Sequence, residues 1–121
     1  MVIKERQALR QPLSSIPRKF NDFGSWALRD YFITAASFYE VDYNLALKIM
    51  LCESGGNYKA KNGGSTASGL FQFIKGTWAG TPQGRAGRDV FDPYANINGA
   101  FWLLSQPNGL NHWNETRSCW Q

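Results

Sequence analysis

Two apolar periodicities organise the first half of the chain. Leu28, Phe32, Ala35 and Tyr39 recur at helical spacing, and Trp26, Ile33 and Ala36 widen the stripe. That spacing puts them on one face of a buried helix, and Ser25 can cap its start. A second run, Leu45-Ala46-Leu47-Lys48-Ile49-Met50-Leu51, follows Asp42. Asp42 is a helix-capping residue, with Val41 before it as a hydrophobic staple. Leu45, Ile49 and then Cys52 or Glu53 share one face of this helix. Gly55 and Gly56 stop it, because glycine accepts the left-handed backbone that closes a helix.

The second half is punctuated differently. Asn57 to Ser68 is polar and glycine-rich, which predicts a loop leading into a small hairpin that turns at Gly63-Gly64. Leu70, Phe71 and Phe73 then return to the core. A short helix containing Trp78 begins after Phe73 and ends at Gly80 and Pro82, and Thr81 to Asp89 reads as loop. Asp92-Pro93 is a helix start, with the cap followed by a proline whose fixed φ suits the first helical position. Ile97, Phe101 and Leu104 give that helix its buried face, and Pro107 and Gly109 end it. The tail from His112 to Gln121 carries Trp113, Cys119 and Trp120 and is expected to fold back onto the helix that ends near Glu53.

The pattern predicts an α+β protein, mainly helical, with a small β-hairpin. With 121 residues the chain is long enough to bury one core. Residues 25–121 form the domain. Residues 1–24 read as an N-terminal arm, because Pro12 and Pro17 interrupt any long helix and little apolar surface is present. No repeat or low-complexity tract divides the chain.

Glu53 is the residue whose placement stands out. It ends an apolar run and falls in the last helical turn, near the negative end of the dipole. Hydrophobic surroundings and the dipole both disfavour the carboxylate and raise its pKa. A carboxyl raised in this way can protonate a glycosidic oxygen near neutral pH. The ordinary alternative is a solvated glutamate at a helix end. Between Glu53 and Gln72 there is no other acid. Asp42 and Asp92 have capping roles, and nothing in the sequence requires Asp89 or Glu115 to reach Glu53. Single-carboxylate chemistry is therefore the reading.

Charge and composition narrow the partners. The net charge is +4, a mild positive balance suited to an anionic polymer. The basic residues are scattered, with no basic stripe, recognition-helix signature or zinc spacing, so nucleic acid is not the expected partner. Arg85 and Arg88 are candidates for carboxylates of a bound polymer, with solvated surface the ordinary reading. Five Trp, five Tyr and eight Phe suit both a packed core and a groove in which rings stack on sugars. No stretch is long and apolar enough to span a bilayer. The polar N-terminus shows no secretory signal, which leaves a mature fragment, a phage-delivered protein or an export substrate with another address. His112, the one histidine, is expected at the surface or in packing and completes no metal site with Cys52 and Cys119. No metal and no cofactor is invoked.

The ordered set Glu53-Ser54-Gly55 and Gly69-Leu70-Phe71-Gln72 resembles the goose-type lysozyme and lytic transglycosylase superfamily, with Phe71 where the family motif has Met. The fuller string Cys52-Glu53-Ser54-Gly55-Gly56-Asn57, with a late cysteine beside tryptophan, is similar to the resuscitation-promoting factor branch. Asp92 to Ile97 looks like the family's closing helix, while the family's Ala-Tyr-Asn motif has no counterpart here. The resemblance covers about Trp26 to the C-terminus. It implies a lysozyme-like fold and cleavage of peptidoglycan glycan strands between N-acetylmuramic acid and N-acetylglucosamine by one acid, Glu53, with a 1,6-anhydro product. A hydrolysing muramidase with the same Glu53 is the near alternative. A non-catalytic wall-binding or virion structural module is the alternative of another class. Gln72 aligns with a groove glutamine that meets an acetamido group, and Ser68 does similar work. Asn62 falls where relatives carry a polar residue near the acid, and Tyr58 and Phe73 join the substrate-binding set. The resemblance favours a Cys52–Cys119 disulfide over two free thiols, and with it an extracellular, periplasmic or cell-wall setting. A monomer is expected.

Overall fold

The computed structural model describes residues 26–121. The N-terminal arm and the Ser25 cap lie outside the described residues.

Helix α1, Trp26–Tyr39, buries Leu28, Phe32, Ile33, Ala35 and Ala36. The left-handed turn at Glu40 (φ 57°) swings the chain into the next helix. There the Asp42 side chain accepts hydrogen bonds from the amides of Asn44 and Leu45, two of the donors that a helix start leaves without partners. Helix α2, Tyr43–Ser54, buries Tyr43, Ala46, Leu47, Ile49 and Met50, while Leu45 is only half-buried. The stripe is thus rotated from the Leu45–Ile49 line, because α2 packs between α1 on one side and the C-terminal segment on the other. Gly55 closes α2 with φ 64°, its N–H donating to the Leu51 carbonyl. Ser54 helps, donating its hydroxyl to the Met50 carbonyl and accepting from the Gly56 amide.

After α2 the chain makes no extended strands. Isolated antiparallel bridges join Lys61 to Ser68 and Ser68 to Phe73, so the expected hairpin is reduced to paired turns around Gly63-Gly64. Gly69 is required here. Its φ is +83°, and a Cβ would come within 2.3 Å of Asn96 Nδ2 and 2.7 Å of the Val90 carbonyl. Helix α3, Lys75–Gly80, holds Trp78 as expected. Helix α4, Pro82–Arg85, replaces part of the predicted loop. Thr81 creates it, accepting from the Gly84 amide at 3.0 Å just before Pro82 at the first helical position.

Helix α5, Pro93–Leu104, is capped by Asp92, which accepts from the amides of Tyr94 and Ala95. It packs on α1 and meets α4. A 3₁₀ stretch, Gly109–Thr116, and helix α6, Arg117–Trp120, fold the tail back over α2. The core is aromatic. Phe32 and Phe101 meet edge to face at 5.0 Å, and Phe71 contacts Phe32, Phe101 and Trp113. Phe73 links Trp78 and Trp113 at 5.0 and 6.1 Å. The lysozyme-like, mainly helical fold class expected from the sequence is the fold observed.

Two ties cross this core. Asn96 is fully buried, accepts the Phe71 amide at 2.9 Å and donates to the Val90 carbonyl at 2.8 Å. Cys52 and Cys119 form a disulfide across a sequence separation of 67. Among the described residues no helix is long and apolar enough to cross a membrane.

Asn96→Leu should destabilise the protein by about 2–6 kcal/mol, since two backbone groups lose partners at about 1–3 kcal/mol each. Urea unfolding should show it as a lower midpoint at unchanged slope. Replacing both cysteines by serine should cost about 4 kcal/mol if unfolded-chain entropy dominates. Non-reducing peptide mapping should recover the Cys52–Cys119 pair, and two alkylatable thiols in never-reduced protein would refute it.

Candidate functional site

Glu53 occupies the last turn of α2 beside the disulfide, where the chain must turn at Gly55. Its carboxyl opens into a cleft of about 500 Å³. One wall comes from the loop after α2 and the turn into α3, with Asn62, Ser65, Gln72, Ile74 and Thr77. The other comes from the folded-back tail, with His112, Trp113, Glu115 and Thr116. Phe71, Phe73 and Leu103 close the floor.

The Glu53 side chain is half-buried, and Thr116 Oγ1 donates to its Oε2 at 2.5 Å. Burial pushes its pKa up. The Thr116 hydroxyl pulls it partly back by solvating the charged form, and the nearby negative charge of Glu115 pushes it up again. The net direction is upward, so the carboxyl holds its proton to higher pH than a solvated glutamate. The raised acid expected at the end of α2 therefore has a clear cause: a tail that covers it.

The tail segment is held by buried hydrogen bonds. Trp113 is buried and donates from Nε1 to the Phe71 carbonyl at 3.0 Å. Trp120, also buried, donates to the Trp113 carbonyl and to Thr116 Oγ1, each at 3.2 Å. Arg117 binds Asn114 and lies over the Trp120 ring at 5.2 Å. Thr116 is therefore presented to Glu53 by two buried indoles and, through Cys119, by a covalent link to the residue next to Glu53.

The residues singled out in the sequence divide into two groups. Asn62, Gln72 and Phe73 line the cleft with Glu53. Asn62 is exposed, and its side-chain oxygen accepts the Gly64 amide at 2.8 Å. Gln72 has a left-handed backbone (φ 54°), and its Nε2 donates to the carbonyls of Ala60 and Gly69. Phe73 is buried beneath the cleft between two tryptophans. Ser68 lies outside the lining, buried, with its hydroxyl donating to the Thr66 carbonyl and its backbone paired with Phe73. Tyr58 also lies outside it, half-buried at the core edge, with Lys59 above its ring.

Sequence reasoning missed the contributions of the tail. The fold-back itself was signalled by two tryptophans and a cysteine, but no motif marks Thr116 as the partner of Glu53. His112 is exposed, as expected, yet stands on the cleft wall. Of the two spare acids, Glu115 lines the cleft, whereas Asp89 is exposed away from it and accepts the Phe91 amide. Arg88 is paired with Asp92 at 3.0 Å, and Arg85 is held by the Gly80 carbonyl and lies over the Trp102 ring. Among the described residues no group of His, Cys, Asp or Glu is arranged to hold a metal ion.

The chemistry within reach is proton transfer from one half-buried acid in a groove of neutral polar groups, with a second acid exposed at its edge. Comparison with curated proteins and with solved structures returns no match. The model of one family, the transglycosylase SLT domain, matches residues 30–117. With most of its length, the whole of the cleft and Glu53 inside that match, the chain belongs to the transglycosylase SLT domain family, whose domains carry out peptidoglycan cleavage of the lytic transglycosylase type.

Proposed function

We propose that residues 25–121 form a monomeric lytic transglycosylase that cuts peptidoglycan between N-acetylmuramic acid and N-acetylglucosamine, with Glu53 as its single catalytic acid and base. The observation that carries this reading is the placement of Glu53: half-buried, raised in pKa and open to a 500 Å³ cleft. Glu53 donates its proton to the bridging oxygen as the glycosidic bond breaks. The substrate's own N-acetyl group stabilises the oxocarbenium-like centre. The ionised Glu53 then takes the proton of the muramyl 6-hydroxyl as that oxygen bonds to the anomeric carbon, which closes the 1,6-anhydro ring and restores the acid. No water is consumed.

Gln72 and Asn62 face the glycan from the loop wall. Gln72 spends its Nε2 on the Ala60 and Gly69 carbonyls, so its part is to accept an acetamido N–H through Oε1. Phe73 contributes as the floor beneath the sugars. Ser68 and Tyr58 support the loop that carries Asn62 and Gln72. The disulfide fits an oxidising compartment, extracellular, periplasmic or at the cell wall, and phage delivery would serve the same end.

A second reading rests on Glu115. It lines the same cleft, and its charge is felt by Glu53, so it is the acid available to position water in a hydrolysing muramidase.

Digestion of purified peptidoglycan should yield 1,6-anhydromuramyl ends, one water lighter than reducing ends in mass spectrometry. Reducing ends alone would transfer the assignment to the Glu115 reading. Glu53→Gln should keep the fold and lose about 10²–10⁴-fold in turnover, because an amide neither gives nor takes the proton. Full activity in that variant would remove Glu53 from the mechanism. No lysis by folded protein at any pH from about 4 to 8 would leave only a binding module.

The pKa direction also sets a stability slope. Because the folded protein holds the Glu53 proton more tightly than the unfolded chain, it binds more protons in the window between the two pKa values. Stability should therefore fall as pH rises from the ordinary glutamate value through the raised one. Glu53→Gln should remove that part of the slope, as read from urea midpoints across the same window.

A further inference from the structure

We infer that Thr116 is a positioning residue for Glu53: its hydroxyl holds Oε2, so that Oε1 is the oxygen that carries the reacting proton into the cleft. The inference rests on Glu53 being the catalytic acid.

A hydroxyl has one hydrogen to donate and two lone pairs to accept with. Thr116 Oγ1 has two acceptors in reach, Glu53 Oε2 at 2.5 Å and the Trp113 carbonyl at 3.2 Å. It also receives the Trp120 indole N–H at 3.2 Å. The indole excludes one direction for the hydroxyl hydrogen, and the shorter distance selects Glu53. The Trp113 carbonyl keeps the Trp120 indole as a donor in either case.

For a general acid this geometry decides which oxygen reacts. With Oε2 occupied as an acceptor, the proton of the neutral carboxyl resides on Oε1. When that proton leaves, the Thr116 hydroxyl is already aimed at the carboxylate and solvates the new charge. When Glu53 takes the muramyl hydroxyl proton, the carboxyl returns to the same orientation. A carboxyl without this contact samples both faces and both protonated oxygens, which dilutes the reactive arrangement.

No other donor on the cleft walls holds Glu53 in this way. The titratable neighbours are Glu115 and His112 on the 3₁₀ stretch; Arg117 of α6 is engaged by Asn114 and Trp120. The loop wall facing Glu53 presents Asn62, Ser65, Gln72 and Thr77, none of them charged. A shift in Glu53 titration on removing the Thr116 hydroxyl therefore reports that contact.

Thr116→Val and Thr116→Ser separate the hydroxyl from the shape. On a soluble, peptide-free glycan fragment, Thr116→Val should lose on the order of 10-fold in kcat with KM little changed, as for one hydrogen bond to a charged group. Carbon-detected NMR should show its Glu53 carboxyl titrating at higher pH, and the alkaline limb of the rate profile should move with it. Thr116→Ser should restore both. The NMR titration needs no turnover, so it tests the contact even if the catalytic reading of Glu53 fails, and Glu53→Gln tests that reading alone. An unchanged Glu53 titration in folded Thr116→Val would overturn the inference. So would a Thr116→Ser protein that keeps the Thr116→Val defect.

Discussion

The buried indole of Trp113 fixes the register of the tail. Its N–H cannot be left without an acceptor inside an aromatic core, and the Phe71 carbonyl supplies one at 3.0 Å. Its ring meets Phe71 and Phe73, which themselves bridge to Phe32, Phe101 and Trp78. A shift of the tail by one residue would strand that donor and expose the ring. With Trp113 placed, the 3₁₀ turn delivers Thr116 to Glu53, and α6 brings Cys119 to Cys52. The acid is buried because the tail is anchored, and the tail is anchored by packing at some distance from the acid.

The other wall of the cleft is held by a polar tie. Asn96 sits in the first turn of α5 with no solvent exposure and holds both the Phe71 amide and the Val90 carbonyl. Gly69 is what lets the loop come that close. Gln72 then adopts a left-handed backbone and binds two carbonyls of its own loop. Each of these groups serves the backbone first, so the loop wall is preorganised before any glycan arrives. Phe71 receives the Asn96 tie at its amide and the Trp113 tie at its carbonyl, so one residue couples the two walls.

Electrostatics at the site are a balance of unequal effects. Desolvation dominates and favours the neutral acid, while one hydroxyl favours the anion and one neighbouring carboxylate opposes it. A reaction that uses the same group first as acid and then as base needs both forms within reach. Full burial would trap the proton, and full exposure would release it too early. A half-buried carboxyl with one hydrogen-bond donor stands between these limits.

Local chemistry was legible in the sequence because it acts over a few residues. The caps at Asp42 and Asp92, the stop at Gly55 and the helix around Trp78 all rest on neighbours in the chain, and they stand where the pattern put them. The end of α2 made Glu53 a helix-terminal carboxyl in apolar company. Other features were settled only by the tertiary structure. The hairpin shrank to isolated bridges because the loop spends its hydrogen bonds on Asn96, Gln72 and its own turns. Ser68 turned inward for the same reason. Thr116 and Glu115 joined the site, and Asp89 did not, because distances between residues far apart in the chain depend on how the buried rings pack. The periodicity of a sequence records which faces are buried, and it carries no record of which buried groups meet.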